Sequence, residues 1–383
     1  MTAGWSVPEP QVLESIGEVA DVDRRAALAT IVDVEGRAYR RPGAKMLITD
    51  EQSLGSITAG CLEDEVVALG ETALAEDRPV LERFDLSGDD EVWGLGIGCN
   101  GVIDVFVEPI GAEYGPIVER YRDGDDQVVL TALSADGSDL EVGDRAVLTG
   151  EEVTGVDDAD ADAWPAWLLE ELADPIATLR EEDASASVEV EDGELTATVF
   201  VNPITAPPRL LAVGSGPDVV PVVEFAAKAG FQVTVAGFRG GTATEERFPD
   251  ADRVISTSPA RLTESVPIDS ETYVVVMTHN FVDDRLAIDS LLETPTEHIG
   301  LMGPDERFEE MLEAFQAEDR PLTAAEIDRI YTPIGLDLGD GSPYGIATSI
   351  VGEVLAVHND REPGHLRERK SPIHGRIELE ADD

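Results

Sequence analysis

The sequence predicts an α/β protein in two main parts, a mixed α/β unit followed by a doubly wound parallel sheet. Three observations predict it. A length of 383 residues is too great for one core and implies two domains, with room for a further piece. Hydrophobic residues make up 42% of the chain, ordinary for packed interiors, so the charge imbalance does not read as disorder. From residue 207 to 358, short apolar runs alternate with helical patterns, as parallel strands joined by crossover helices do.

The elements follow in order. In residues 1–110, Leu28–Val34 and Met46–Thr49 are short, mostly apolar runs that read as strands. Glu63–Asp77 reads as a helix, because Val66, Val67, Leu69, Gly70, Ala73 and Leu74 give it an apolar face. Val102–Val107 reads as a strand that Pro109 stops. Residues 111–206 differ in chemistry and read as an acidic connector or subdomain. Residues 151–194 hold 16 acids against one Arg, a solvated acidic insert rather than a metal site. Val128–Leu133 and Val188–Val201 look like strand regions. Trp164–Asp174 looks like a helix that Pro175 ends or kinks. No internal repeat is visible. In residues 207–358, strands are expected at Leu210–Val213, Gln232–Ala236, Arg253–Ser256, Tyr273–Met277 and Ile299–Met302, with a helix at Val219–Ala229. Residues 359–383 are polar, carry Pro and Gly, and read as a mobile tail.

Net charge is −53, from 80 acids against 27 bases. A field of that sign repels phosphates and argues against nucleic acid as a partner. Only three of the bases are Lys: Lys45, Lys228 and Lys370. Acid excess with few lysines suggests a salt-rich, halophilic cytosol, where screening shortens charge repulsion to a few ångströms. Two cysteines are too few for a disulfide framework. No leader pattern or membrane-length apolar stretch is seen, so a cytoplasmic protein without membrane contact is expected.

The segment Leu210-Leu-Ala-Val-Gly214-Ser-Gly216 sits between a strand and a helix, where a Rossmann-like fold places its phosphate turn. Gly214 and Gly216 fit the first two glycines of that fingerprint, and Val219 occupies the third. The acid that would hold an NAD ribose is missing near Gly237, while Arg239 offers a phosphate contact. NAD(P) is therefore one alternative, and a fold without a dinucleotide is another. His279 follows the strand at Tyr273–Met277 and is either a site residue or a strand cap.

Absence of charge is informative in so acidic a chain. Gln52–Leu62 has no charge over 11 residues and Val92–Ile103 none over 12, and each window holds one cysteine, Cys61 or Cys99. Gly60 and Gly98 directly precede them and permit close backbone approach to a ligand. Cys61 lies just before the helix starting near Glu63, where a thiol is a better soft ligand or nucleophile. The alternative is that both are small buried hydrophobes. A third window, Gly36–Thr49, has no acid where the chain average gives about three, and it holds Arg37, Arg40, Arg41 and Lys45. It reads as an anion cradle or an ordinary salt-bridged loop.

Together these windows resemble the xanthine dehydrogenase accessory protein family of the XdhC/CoxI type. The resemblance rests on Arg41-Pro-Gly-Ala-Lys-Met46, Gly55-Ser-Ile-Thr-Ala-Gly-Cys61-Leu-Glu63, Trp93-Gly-Leu-Gly-Ile-Gly-Cys99-Asn-Gly101 and Asp104-Val-Phe-Val-Glu-Pro109. It continues in Thr332-Pro-Ile-Gly-Leu-Asp-Leu-Gly339 and Ile346-Ala-Thr-Ser-Ile350. It implies an XdhC/CoxI-type first domain, a Rossmann-like second domain and a molybdenum-cofactor chaperone without an enzymatic reaction of its own. Such a protein guards the cofactor during sulfuration and delivers it to the large subunit of a molybdenum hydroxylase. The other implied partners are a cysteine desulfurase and a second copy in a homodimer. Cys61 and Cys99, on the motif cysteines, become candidate molybdenum contacts. Gly60, Gly98 and Glu63 flank them, and Arg40, Arg41 and Lys45 would meet the phosphate end. Gly214, Gly216, Arg239 and His279 remain candidates for a cofactor in the second domain. Departures gather there: Pro217 stands for a common His, Gly237 for a common Asp, and Pro304-Asp-Glu-Arg307 for a basic run. The molybdenum cofactor is therefore placed in the first domain or at the cleft. The enzyme alternative is an NAD(P)-dependent oxidoreductase.

Overall fold

The computed structural model describes residues 7–21, 24–36, 38–86, 101–136, 140–150, 152–155, 164–192 and 195–368. The chain forms two compact units that part between Ala206 and Pro207.

The first unit opens with α1 (Glu9–Asp21), β1 (Ala26–Gly36), β2 (Lys45–Thr49), β3 (Ser53–Gly55), α2 (Glu63–Glu76), β4 (Val80–Asp85) and β5 (Gly101–Pro109). The strands pair antiparallel in the order β3-β2-β1-β5-β4. Strand side chains alternate between faces. Ala27, Ala29 and Ile31 of β1 therefore pack with Val66 and Ala73 of α2. Ala26 and Leu28 pack instead with Val12, Leu13 and Ile16 of α1. Covered on both faces, β1 is buried over its first seven residues.

The acidic stretch that follows builds the same thing again. It contains α3 (Tyr114–Asp123), β6 (Gln127–Asp136), β7 (Arg145–Thr149), β8 (Glu152–Gly155), α4 (Ala166–Glu171), α5 (Ala173–Glu181), β9 (Ala186–Asp192) and β10 (Leu195–Ile204). Its sheet order is β8-β7-β6-β10-β9, the first order with five added to each strand. The expectation of no internal repeat is therefore corrected. Met46 pairs with Gly55 in the first half and Ala146 with Gly155 in the second. The β1–β5 ladder bulges at Val32 and the β6–β10 ladder at Leu133. Those two residues meet Phe106 and Phe200 in one buried cluster where the halves join. Val105-Phe-Val-Glu-Pro-Ile110 in the first half corresponds to Val199-Phe-Val-Asn-Pro-Ile204 in the second.

The expected helix is interrupted: α4 stops at Glu171, whose carbonyl Pro175 cannot bond, and α5 starts at Ala173 with Pro175 in its first turn. Two polar positions face the junction between halves. Arg145 is 8% exposed and pairs with Glu108 and with the Tyr114 hydroxyl, which donates to Glu108 at 2.6 Å. Burial pushes the Tyr114 hydroxyl well above its ordinary range. Burial opposes the charge on Arg145, but Glu108, Tyr114 and Glu113 together outweigh it and raise the guanidinium further. Lys45, at the matching position of the first half, donates to Glu9 Oε1 and to the Gly43 carbonyl, both at 2.8 Å.

The second unit contains β11 (Arg209–Val213), α6 (Val219–Lys228), β12 (Gln232–Gly237), β13 (Arg253–Ser256), α7 (Leu262–Ser265), β14 (Thr272–Val276) and α8 (Phe281–Leu292). It continues with β15 (His298–Leu301), α9 (Asp305–Ala317), α10 (Ala324–Asp328), β16 (Ile330–Tyr331) and α11 (Pro343–His358). All six strands are parallel, in the order β13-β12-β11-β14-β15-β16. That is the doubly wound Rossmann order, with its switch point between β11 and β14. α6 and α11 cover one face and α8 and α9 the other. Of the expected tail, residues 359–368 are described and include a short helical turn at Leu366–Glu368. The remainder lies outside the described residues.

Candidate functional site

The antiparallel order of the first sheet gathers three connections at one end. β3 and β4 run in the same direction as β1, so the β1–β2, β3–α2 and β4–β5 connections all leave from the Gly36 end. These carry the three sequence windows. The Arg loop is held by two bonds to β1, Gly43 N–H to the Ile31 carbonyl at 2.8 Å and Ile31 N–H to the Ala44 carbonyl at 3.0 Å. Arg40 and Arg41 are exposed, and Arg40 Nη2 donates to Ser56 Oγ at 2.8 Å. That bond ties the Arg loop to the segment leading to Cys61. The Arg40 guanidinium also lies 5.3 Å from the centre of the Tyr39 ring, which is 60% exposed. Lys45 points inward and is 7% exposed, its ammonium engaged by Glu9 and the Gly43 carbonyl.

Cys61 is free and half-buried, against the core under α2. Gly60 adopts φ +105°, a conformation that favours glycine, and a Cβ there would meet nothing within 4 Å. Glu63 turns back onto this loop. Its carboxylate accepts from the Thr58 hydroxyl at 2.6 Å, from Thr58 N–H at 3.2 Å and from Leu62 N–H at 3.1 Å. Gly98 and Cys99 lie outside the described residues. The ends of their connection do not: Leu86 N–H donates to the Gly101 carbonyl at 2.9 Å, and Gly101 pairs with Gly36.

In the second unit, the turn after β11 approaches the end of β14 closely. Gly214 has φ +145°, and a Cβ there would lie 2.5 Å from the Met277 carbonyl oxygen. Gly216 follows, and then Asp218 stands just before α6. His279, at φ +59°, places Nε2 2.7 Å from Asp218 Oδ2 across the switch point. Arg239 is 70% exposed and reaches Asp283 at 3.3 Å. A Cβ on Gly237 would lie 2.6 Å from Ala243, so no acid side chain fits there without a shift. Below this crevice Asp284, 1% exposed, accepts from Thr278 and pairs with Arg307.

Ser56, Thr58, Asp218, Asp284 and Arg307 are not among the candidate site residues read from the sequence, although Ser56 and Thr58 lie inside the Gly55–Glu63 motif and Arg307 inside the Pro304–Arg307 run. Thr58 had a faint signal, a hydroxyl five residues before a helix-opening Glu. The rest depend on contacts between distant segments. Among the described residues, no group of three or more His, Cys, Asp or Glu is placed to hold a metal ion, and no helix is long and apolar enough to cross a membrane.

With that geometry in view, two family descriptions match the chain: the XdhC and CoxI family over residues 20–85 and the XdhC Rossmann domain over residues 210–354. The chain belongs to the XdhC/CoxI family. A Bacillus subtilis (strain 168) protein, named as a probable xanthine dehydrogenase subunit, is 30% identical over 338 residues, 86% of this chain and 92% of that protein. "Uncharacterized protein YqeB" of Escherichia coli (strain K12) is 27% identical over 176 residues, 46% of this chain and 32% of its own length. A crystal structure described as a xanthine dehydrogenase from Bacillus halodurans has a TM-score of 0.71 and 28% identity, covering 95% of this chain and 98% of that one.

Proposed function

We propose that this protein is a maturation factor for a xanthine or carbon monoxide dehydrogenase-type molybdenum hydroxylase. It binds the molybdenum cofactor as cargo, shields it while a terminal sulfur is installed, and delivers it to the large subunit of the client enzyme. The second partner is a cysteine desulfurase, the working form is a homodimer, and the compartment is the cytoplasm. One observation carries this reading: exposed Arg40 and Arg41 share one end of a sheet with the half-buried thiol of Cys61.

Those residue types fit the cargo. Arg forks match a phosphate, and a thiol suits a soft metal centre. Arg40 and Arg41 would hold the phosphate end. Cys61, together with Cys99, would face the metal–dithiolene end. Gly60 leaves open space above the loop for close approach. Lys45 serves the fold rather than the phosphate, because its ammonium is already engaged inside the unit. The cofactor supplies the oxidisable metal centre, and this chain supplies binding and exclusion of water.

An oxidoreductase using NAD(P) in the second unit is less well supported. A dinucleotide would set its pyrophosphate at the start of α6. Asp218 puts a carboxylate at that helix start and is paired with His279.

The test is metal and pterin content of protein purified anaerobically in high salt. Near-stoichiometric molybdenum with pterin is expected, and its loss in Cys61→Ala and in Arg40→Glu/Arg41→Glu. Bound nicotinamide cofactor in protein lacking molybdenum would overturn the reading.

A further inference from the structure

We propose that Thr58 and Glu63 are positioning residues that set the place of the Cys61 thiol. The functional weight of this inference rests on Cys61 being a cofactor contact, but the geometry and the test below do not.

The loop from Ser56 to Leu62 is closed by side chains instead of by backbone pairing. Thr58 Oγ1 accepts from the backbone N–H groups of Gly60 at 3.3 Å and Cys61 at 3.2 Å, and lies 3.4 Å from the Leu62 nitrogen, whose N–H bonds more closely to Glu63. The Thr58 hydroxyl proton goes to Glu63 Oε2, at 2.6 Å. Glu63 accepts two further N–H groups, those of Thr58 and Leu62. A carboxylate accepting from a hydroxyl and two amides makes the strong, charge-assisted kind of hydrogen bond. Thr58 is 4% exposed as a residue, so water is a poor substitute if its hydroxyl is removed.

This clamp has two consequences. Of the five backbone donors from Thr58 to Leu62, all except that of Ala59 are consumed by Thr58 and Glu63. The loop backbone is therefore closed to an anion, and three acids, Glu63, Asp64 and Glu65, fill the first turn of α2, so anion binding falls to Arg40 and Arg41. Glu63 is also fully engaged within the loop, so its part is to hold Cys61 rather than to touch a ligand.

The test is the rate of iodoacetamide alkylation of Cys61 in the full chain, resolved by peptide mass spectrometry, with the global fold followed by circular dichroism as the control. Releasing the clamp opens the loop locally without global unfolding. Thr58→Val and Glu63→Gln are expected to speed modification of Cys61 about fivefold or more, as local opening does. Thr58→Ser, which restores the hydroxyl, is expected to stay within about twofold of the parent. The circular dichroism spectrum should be unchanged in all three. A Thr58→Val rate within about twofold of the parent, or a Thr58→Ser rate as fast as Thr58→Val, overturns the proposal. If Thr58→Val fails to fold, Glu63→Gln decides on the same criterion. Failure of the cofactor reading looks different: no molybdenum in the parent protein, with the alkylation pattern intact.

Discussion

The two halves of the first unit have the same framework and opposite chemistry. Pairing, bulge position and junction cluster coincide. Even the first hairpin loop is held alike: Gly143 N–H bonds to the Ala132 carbonyl at 2.8 Å and Ala132 N–H to the Asp144 carbonyl at 2.9 Å. Yet Arg40 and Arg41 correspond to Leu140 and Glu141, and Leu140 is buried. The second half holds no cysteine. The framework therefore occurs twice, while the exposed Arg40–Arg41 pair and both cysteines fall in the first half alone.

The largest expected effect tests the shared framework. Phe106→Ala and Phe200→Ala should each cost about 3–5 kcal/mol, because both rings are buried in the cluster joining the halves. Denaturant unfolding measures it, and a large cost at only one position would break the equivalence. Next comes the pair at the junction. Arg145→Met leaves buried Glu108 without its cation and should cost about 3–5 kcal/mol. Lys45→Met should cost clearly less, since its partner Glu9 is 54% exposed. Tyr114 gives a pH test. Its hydroxyl titrates well above the ordinary 10.0, so its contribution is complete below that pH and is lost as pH rises beyond it. Tyr114→Phe should lower stability at neutral pH and flatten the alkaline loss, as followed by thermal melts. The smallest stability effect separates framework from site. Arg41→Glu and Glu141→Arg should each change stability by no more than about 0.5 kcal/mol. Only Arg41→Glu should lower cofactor content.

Much of the second unit was legible. The Leu210–Val213 strand, the Gly214-Ser-Gly216 turn and the Val219–Ala229 helix are each short-range patterns, and the structure repeats them with shifts of one or two residues. Val188–Val201 was harder, because it spans parts of two antiparallel strands, β9 and β10, in an acidic run. α1 and α3 went unread. Their apolar stripes are brief, and their packing partners lie far away in sequence. The duplication was illegible for a physical reason. A core asks only for apolar residues of fitting volume at alternating positions, so two copies keep pairing while their identities drift. The matching Val-Phe-Val-x-Pro-Ile segments are its clearest trace, and they sit where both strands enter the junction.

By itself, the sequence determined the α/β class, the parallel sheet, the glycine turn and the three windows in which charge pattern and cysteines point to a ligand. These are local properties, written in periodicity, turn chemistry and composition. Only the tertiary structure decided which windows meet. Antiparallel pairing sends the Arg loop and the Cys61 loop to the same sheet end, while burial turns Lys45 inward to Glu9. It also decided that Glu63 bonds Thr58 and Leu62, and that Asp218 pairs with His279 at the start of α6. A side chain's role depends on which donor or charge folding brings within about 3 Å, and that distance is set by strand direction and packing rather than by neighbours in the chain.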